Sequence, residues 1–284
     1  MRRPLQSLSA LRGQRNRLGE GWQSWRALRK AGVPYLSGWG VIAADGESNV
    51  EGARIAKLDE NWRPTPGTER RLSCDTLCLN YGFTPATELS HLLGVQHEWR
   101  PEQGGFVPLR DAQMQSSVPG IFVVGDGAGV GGAGLAMLEG EIAGLTAAMQ
   151  VRGKTALAVS QRIEALDPAL HRERRFQKLY GQLFTPGPGL GELAAPDTLI
   201  CRCESVSKGD ISQAIQDGAD TLYIVKGLTR CGMGNCQGRV CGPLAAAIVA
   251  KEMGQSPEEV GQFRPRVPLF PLPLSALADE QGSR

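Results

Sequence analysis

The chain has 284 residues, 41% of them hydrophobic and 21% charged, with a formal net charge of +2. That length admits one large or two modest domains with real cores, and the apolar share is ordinary for a globular protein. So small a net charge does not imply a nucleic acid or an anionic membrane as partner, and the longest apolar run, residues 244–250, is far too short to span a bilayer.

Residues 1–17 hold five arginines, two serines and no acid. This composition loosely imitates a mitochondrial transit peptide, but reads better as a basic surface segment leading into a helix; no secretory apolar segment is present. Trp22, Trp25 and Leu28 recur at helical spacing within residues 21–31, and Gly32 supplies the stop. These tryptophans, with Trp39, are expected in the core. Residues 33–44 read as extended and end in Ala44-Asp45-Gly46; residues 50–58 alternate in part until Pro64 and Pro66 break them. Residues 74–80 predict a short apolar strand with Cys74 and Cys78 as buried structural thiols. A helix is expected over 86–93, an extended piece over 104–109, and a buried strand at Ile121-Phe122-Val123-Val124. A glycine-rich loop then leads into a helix from Leu135 to about Gln150.

Residues 160–184 are helical in pattern, and Thr185-Pro186-Gly187-Pro188-Gly189 marks a linker with a domain boundary near Pro196. Beyond it, Ser207 and Asp210 have the spacing of a capping box, which starts a helix through Gln216 that Gly218 stops. Residues 221–225 read as a short strand or extended link. A helix after Cys241 runs through Glu252 to Gly254, and the prolines of residues 264–274 forbid a helix there, giving an extended arm. His91, His97 and His171 have no acids at motif spacing and read as surface or helix-edge residues. No catalytic set of Ser/His/Asp or Cys/His type is apparent, and there are no internal repeats.

The cysteines carry the chemistry. Seven is an odd number, and they cluster with ligand-like spacing, which argues against a disulfide framework and for a reducing cytoplasm. Cys201-Arg202-Cys203-Glu204 is followed by a loop containing Cys231, Cys236 and Cys241 with glycines at 232, 234, 238 and 242. Thiolates are soft ligands that select iron–sulfur clusters, zinc or copper(I). The C-x-C pair is too tight for a zinc knuckle, and the glycines let backbone N–H groups approach sulfur closely. A [2Fe–2S] cluster is therefore favoured, with zinc and unligated thiols as the alternatives. The string C-R-C-E…T-R-x-G-M-G-x-C-Q-G-R-x-C resembles the small [2Fe–2S] domain of bacterioferritin-associated ferredoxin, a module appended to several flavoprotein dehydrogenase subunits. That resemblance implies Cys201, Cys203, Cys236 and Cys241 as ligands and leaves Cys231 as a spare thiol. Arg202, Arg230 and Arg239 flank the ligands, where positive charge would favour reduction of an anionic cluster.

A second candidate site lies at Gly125-Asp126 with the glycines that follow. An Asp just past a strand end accepts hydrogen bonds from sugar hydroxyls, and a helix N-terminus offers N–H groups and a positive dipole end. Residues 117–126 together with Ala136-Met137-Leu138-Glu139-Gly140 resemble the C-terminal FAD signature of flavoproteins with two dinucleotide domains. The resemblance implies that Asp126 contacts the ribityl chain and that Gly125, Gly132 and Ala133 approach the flavin. No G-x-G-x-x-G opens either dinucleotide domain here. The expectation is that the missing part comes from another chain or is lost, so that FAD binds weakly or not at all.

The order of parts predicts an α/β chain. Residues 1–73 resemble a remnant of an NAD-type domain and 74–153 the C-terminal part of an FAD domain, with 154–196 expected as a helical linker. Residues 197–254 form a small α-rich [2Fe–2S] domain and 255–284 a Pro-rich tail. This arrangement resembles the large flavoprotein subunits of hydrogen cyanide synthase, opine oxidases and dye-linked proline or hydroxyproline dehydrogenases. The resemblance implies an oxidoreductase subunit for the oxidation of amines or amino acids. It would pass electrons between FAD and the cluster and sit in a hetero-oligomer with an FAD-dependent dehydrogenase subunit. The alternative is a non-catalytic iron–sulfur module on a degenerate flavin scaffold.

Overall fold

The computed structural model describes residue 11 and residues 13–152 and 157–275; most of the basic N-terminal segment and the end of the Pro-rich tail lie outside them. The chain forms two compact units. One draws on Met1–Thr84, Pro101–Gly104 and Val124–Leu193; the other on Pro85–Arg100, Gly105–Val123 and Ala194–Arg284. The units therefore do not follow the expected division at residue 74, because residues 85–123, apart from 101–104, group with the C-terminal part.

The first unit opens with helix α1 (Arg15–Lys30), which starts six residues before the predicted one and buries none of its side chains. Contrary to expectation, Trp22 and Trp25 are exposed, at 58% and 39%. The helix is fastened instead by its first turn: Arg17 lies 2.8 Å from Glu173 and its guanidinium stacks over Phe176, while Gln14 also reaches Glu173. The tryptophans stack on each other at 5.1 Å. Trp39 is half-buried, with the cations of Lys57 and Arg70 over its ring.

Strands β1 (Trp39–Asp45), β2 (Gly52–Lys57) and β3 (Arg70–Ser73) form an antiparallel meander in that order, with an irregularity between Val41 and Ala43. Central β2 buries Ala53, Ile55 and Ala56, and Asp45 at the end of β1 ties Arg54 and Arg71 at 3.0 and 3.1 Å. The strand predicted at 74–80 does not form. Its would-be partner β2 begins opposite Ser73, so the ladder runs out there, and only Cys74 N–H reaches back to the Glu51 carbonyl. Cys74 is half-buried and Cys78 exposed, not core thiols as expected.

The unit is completed by α3 (Ala133–Arg152), α4 (Leu157–Phe184) and the short α5 (Gly189–Glu192). Leu135, Ile142 and Ala143 of α3 and Leu166 and Leu170 of α4 are buried, and the two helices pack against each other.

In the second unit, α2 (Glu88–Leu92) precedes a hairpin of β4 (His97–Arg100) and β5 (Gly105–Pro108), whose Trp99 and Phe106 rings meet edge to face. The predicted strand 121–124 is absent. Its backbone is consumed by a local turn in which Ser116 N–H donates to Ile121 O and Val123 N–H to Met114 O, leaving one bridge between Gln115 and Phe122. All strand ladders among the described residues are antiparallel.

The C-terminal part pairs β6 (Leu199–Cys201) with β7 (Val206–Ser207) and continues into α6 (Lys208–Gln216), α7 (Leu222–Thr229), α8 (Gly242–Met253) and α9 (Pro257–Val260). The capping box at Ser207 and Asp210 is formed in both directions. Residues 221–225 turn out helical: Thr221 Oγ1 accepts from Ile224 N–H, and Leu222 and Val225, three apart, share the buried face. Helix α8 closes on Gly254 at φ 65, as its glycine suggests. A second capping box, Ser256 with Glu259, starts α9.

His91 and His97 are half-buried and stacked, with ring centroids 3.6 Å apart, rather than surface residues. His97 Nδ1 lies 2.8 Å from Val95 O, and its Nε2 lies 2.8 Å from Ser90 Oγ. The amide of Gln262 contacts His91 Nε2. Burial, then the neighbouring His97, lower the His91 pKa to about 4, and burial lowers His97 as well. Both rings are thus neutral in the native state, and an unfolded chain takes up protons near pH 6.5 that the folded one refuses. Stability should fall as pH drops from about 6.5 toward about 4, and His91→Gln should flatten that slope in a thermal-melt series. Ser207→Ala should lower stability by about 1 kcal/mol in denaturant titration.

Candidate functional site

Cys201 ends β6 on its core side and is 1% exposed. The chain then turns through Ser205, at φ 54, and leaves Cys203 at the surface. On the other side, α7 is closed by Arg230 in a left-handed conformation, φ 65. This reverses the chain and drops Cys231 into the core at 0% exposure, its N–H held by Thr229 Oγ1. Cys241, 2% exposed, stands at the N-terminus of α8.

The sulfurs of Cys201, Cys231 and Cys241 all lie within 4.8 Å of one another. Cys203 and Cys236 sulfurs are 4.0 Å apart. The structure therefore brings five thiols into one neighbourhood: the four resemblance-implied ligands and Cys231. A signal for the fifth was present in the even spacing of Cys231, Cys236 and Cys241, five residues apart each time.

The loop is tight where it meets sulfur. A Cβ on Gly234 would overlap the Cβ of Cys203, so only glycine lets the two segments approach. Burial pushes the Cys236 thiol upward, but backbone N–H groups of Val240, Gly238 and Arg239 and the Cys203 thiol outweigh it and hold it below the usual range. Cys203 is raised, first by its bond to Cys236, so the proton of that pair stays on Cys203. Cys241 is raised by its bond to Cys231 and then by burial. A sulfur that gathers backbone N–H groups is built for a thiolate, and soft donors in this number fit a four-thiolate cluster.

The flanking arginines differ. Arg230 pairs with Glu204 at 2.8 Å and Arg202 is exposed. Arg239 pairs with Glu88 at 2.8 Å, donates to the Cys236 carbonyl and stacks over Phe270, while its Nη2 is buried without a hydrogen-bond partner among the described residues. The arm also folds onto this loop: Phe263 covers Gly232, Gly238 and Gly242, and Gln237 donates to Pro268 O. It lies against its own chain over residues 263–270.

At the second candidate site, Gly125 adopts φ 65 and its N–H donates to the buried carboxylate of Glu139. Asp126 Oδ1 accepts from both Gly131 and Gly132 N–H at 3.1 Å, immediately before Ala133 opens α3. The four expected residues are thus gathered in one loop at the start of a 20-residue helix, and space is open beside Gly132. A carboxylate and a helix start fit the sugar and ring end of a flavin. The described residues form no parallel strand pair that would carry a second glycine turn for the diphosphate.

Residues 18–155 match the family described as pyridine nucleotide-disulphide oxidoreductase, and residues 196–281 the sarcosine oxidase A3 domain. The chain is 37% identical over 253 residues to hydrogen cyanide synthase subunit HcnB of Pseudomonas aeruginosa, covering 88% of this chain and 53% of that protein. It is 34% identical over 243 residues to an opine oxidase subunit of Rhizobium meliloti, covering 86% and 45%. The chain is similar to oxidoreductase subunits over most of its length. It spans about half the length of these relatives. The crystal structure of L-proline dehydrogenase from P. horikoshii superposes on 89% of the chain and 47% of its own length with a TM-score of 0.64 at 21% identity, a likeness of fold. The fold is mixed α/β, and its N-terminal part is of the flavoprotein dinucleotide-binding kind. No helix among the described residues is long and apolar enough to cross a membrane.

Gly234→Ala should separate Cys203 from the loop and cost about 1–3 kcal/mol of stability, visible in a denaturant titration. The same change at Gly227, where a Cβ meets nothing within 4 Å, should not be destabilising.

Proposed function

We propose that this chain is an electron-transfer flavoprotein and iron–sulfur subunit of a complex that oxidises an amine or amino acid. The observation that carries the reading is the Cys203–Cys236 sulfur pair, 4.0 Å apart on a loop whose backbone N–H groups face Cys236, with Cys201 and Cys241 of the buried trio close enough to influence it electrostatically. These four would hold a [2Fe–2S] cluster of the kind found in bacterioferritin-associated ferredoxin. When bound, FAD exchanges electrons in pairs and the cluster one at a time. The chain's own residues do the rest. Gly234 admits Cys203, the N–H groups of residues 238–240 hold a thiolate at Cys236, and the cation of Arg239 stands against the Cys236 carbonyl. Asp126, Gly125, Gly132 and Ala133 would orient the flavin.

The amine or amino-acid substrate is our reading, supported by the likeness to hydrogen cyanide synthase and opine oxidase subunits. Their names as subunits also support a hetero-oligomer with an FAD-dependent dehydrogenase subunit, which would carry substrate oxidation. The seven free cysteines suit a cytoplasmic setting. A second reading, an iron–sulfur module on a flavin domain that no longer binds flavin, is favoured by Asp126, which spends a carboxylate oxygen on its own loop.

Anaerobically purified protein should be red-brown with about two iron and two sulfide per chain. Replacing Cys201, Cys203, Cys236 or Cys241 by Ser should remove the colour, while Cys231→Ser keeps it; a colourless, iron-free wild type sinks the cluster. Fluorescence titration with FAD decides between the readings. Weak saturable binding, strengthened by the partner subunit, supports the first, and complete indifference to FAD supports the second.

A further inference from the structure

The cluster reading leaves Cys231 unused, yet it is the most deeply buried cysteine of the group, at 0% exposure. Ordinary core cysteines pack against carbon. Here three sulfurs arrive from three elements, the end of β6, the exit of α7 and the start of α8, and meet within 4.8 Å. We propose that Cys201, Cys231 and Cys241 form a three-thiolate site for a single soft d10 cation, copper(I) or a zinc-group divalent ion. Its ligand set differs from that of the cluster.

The dimensions suit such an ion. Metal–sulfur bonds of about 2.3 Å around a trigonal centre place the sulfurs roughly 4 Å apart, inside the observed limit. The donors are soft, and among the described residues no histidine or carboxylate of the kind harder ions demand joins the three sulfurs. Binding is a proton-for-metal exchange without electron transfer: three S–H bonds break, three metal–sulfur bonds form and three protons leave to solvent. The product carries one net negative charge with a divalent ion and two with copper(I). Cys241 places that charge at the N-terminus of α8, a 12-residue helix, where the aligned peptide dipoles favour an anion. Cys203 and Cys236 stand nearer the surface as a pair and are not required.

This site does not rest on the cluster reading. Because both ligand sets contain Cys201 and Cys241, occupancy by one excludes the other. A soft ion seated on the buried trio would block cluster assembly, and Cys231 is what would let it sit there.

The test uses the full chain, made metal-free under anaerobic reducing conditions and titrated with Cd²⁺ against a competing chelator, reading the sulfur-to-cadmium charge-transfer absorption. The double variant Cys203→Ser, Cys236→Ser should retain one tightly bound Cd²⁺ per chain. Adding Cys231→Ser should weaken binding roughly a hundredfold, one ligand's share of a thiolate site. Circular dichroism confirms the fold of each variant, and Cys231→Ala replaces the serine if that variant unfolds. A folded double variant that takes up no Cd²⁺ overturns the proposal. So does a triple variant that binds as tightly as the double. Reconstitution with iron and sulfide separates the two readings: a wild type that binds Cd²⁺ through Cys231 yet never forms a cluster loses only the cluster.

Discussion

The constraint that organises the C-terminal unit is the need to bring sulfurs together without a disulfide. Thiols repel once they ionise, and burial raises the cost of each charge. The chain meets this with backbone geometry. The left-handed Arg230 closes α7, and Gly234 admits Cys203 at a separation no other residue allows. N–H groups of residues 238–240 then stabilise negative charge at Cys236. Helix α8 begins at Gly242, just after Cys241, and presents the positive end of its dipole to that residue.

The rest of that unit supports the loop. Capping boxes at Ser207 and Ser256 fix the starts of α6 and α9, and Phe263 seals the glycines from outside. Arg239 links the loop to α2 through Glu88. A cation held there favours electron density on neighbouring sulfur, and the carboxylate moderates it. Segments far apart in sequence thus share one electrostatic environment.

The glycine loop before α3 in the other unit follows a different logic. Asp126 and Glu139 each accept backbone N–H groups, which shapes the glycines before α3 begins. The same hydrogen bonds that form the loop occupy part of the group expected to touch a sugar. Any ligand that reached this carboxylate would have to compete with those internal hydrogen bonds.

What the sequence by itself determined was local. The capping box at Ser207, the glycine stop at 254, the break at Pro64 and Pro66 and the ligand-like spacing of Cys201 and Cys203 all rest on interactions within a few residues. The cap, the stop and the break appear where their chemistry put them, while the structure parts Cys201, in the buried trio, from Cys203, which pairs with Cys236. Tertiary structure decided what depends on partners. Residues 74–80 and 121–124 are apolar enough for strands but have no neighbouring ladder to join, because the sheet ends at Ser73 and a local turn consumes the second segment. Residues 221–225 became helix because Leu222 and Val225 found one buried face. Trp22 and Trp25 stayed outside because Gln14 and Arg17 anchored the helix by a different side. Cys231 entered the sulfur group because a left-handed residue reversed the chain just before it. Spacing says which cysteines are near in sequence, and only the fold says which sulfurs meet.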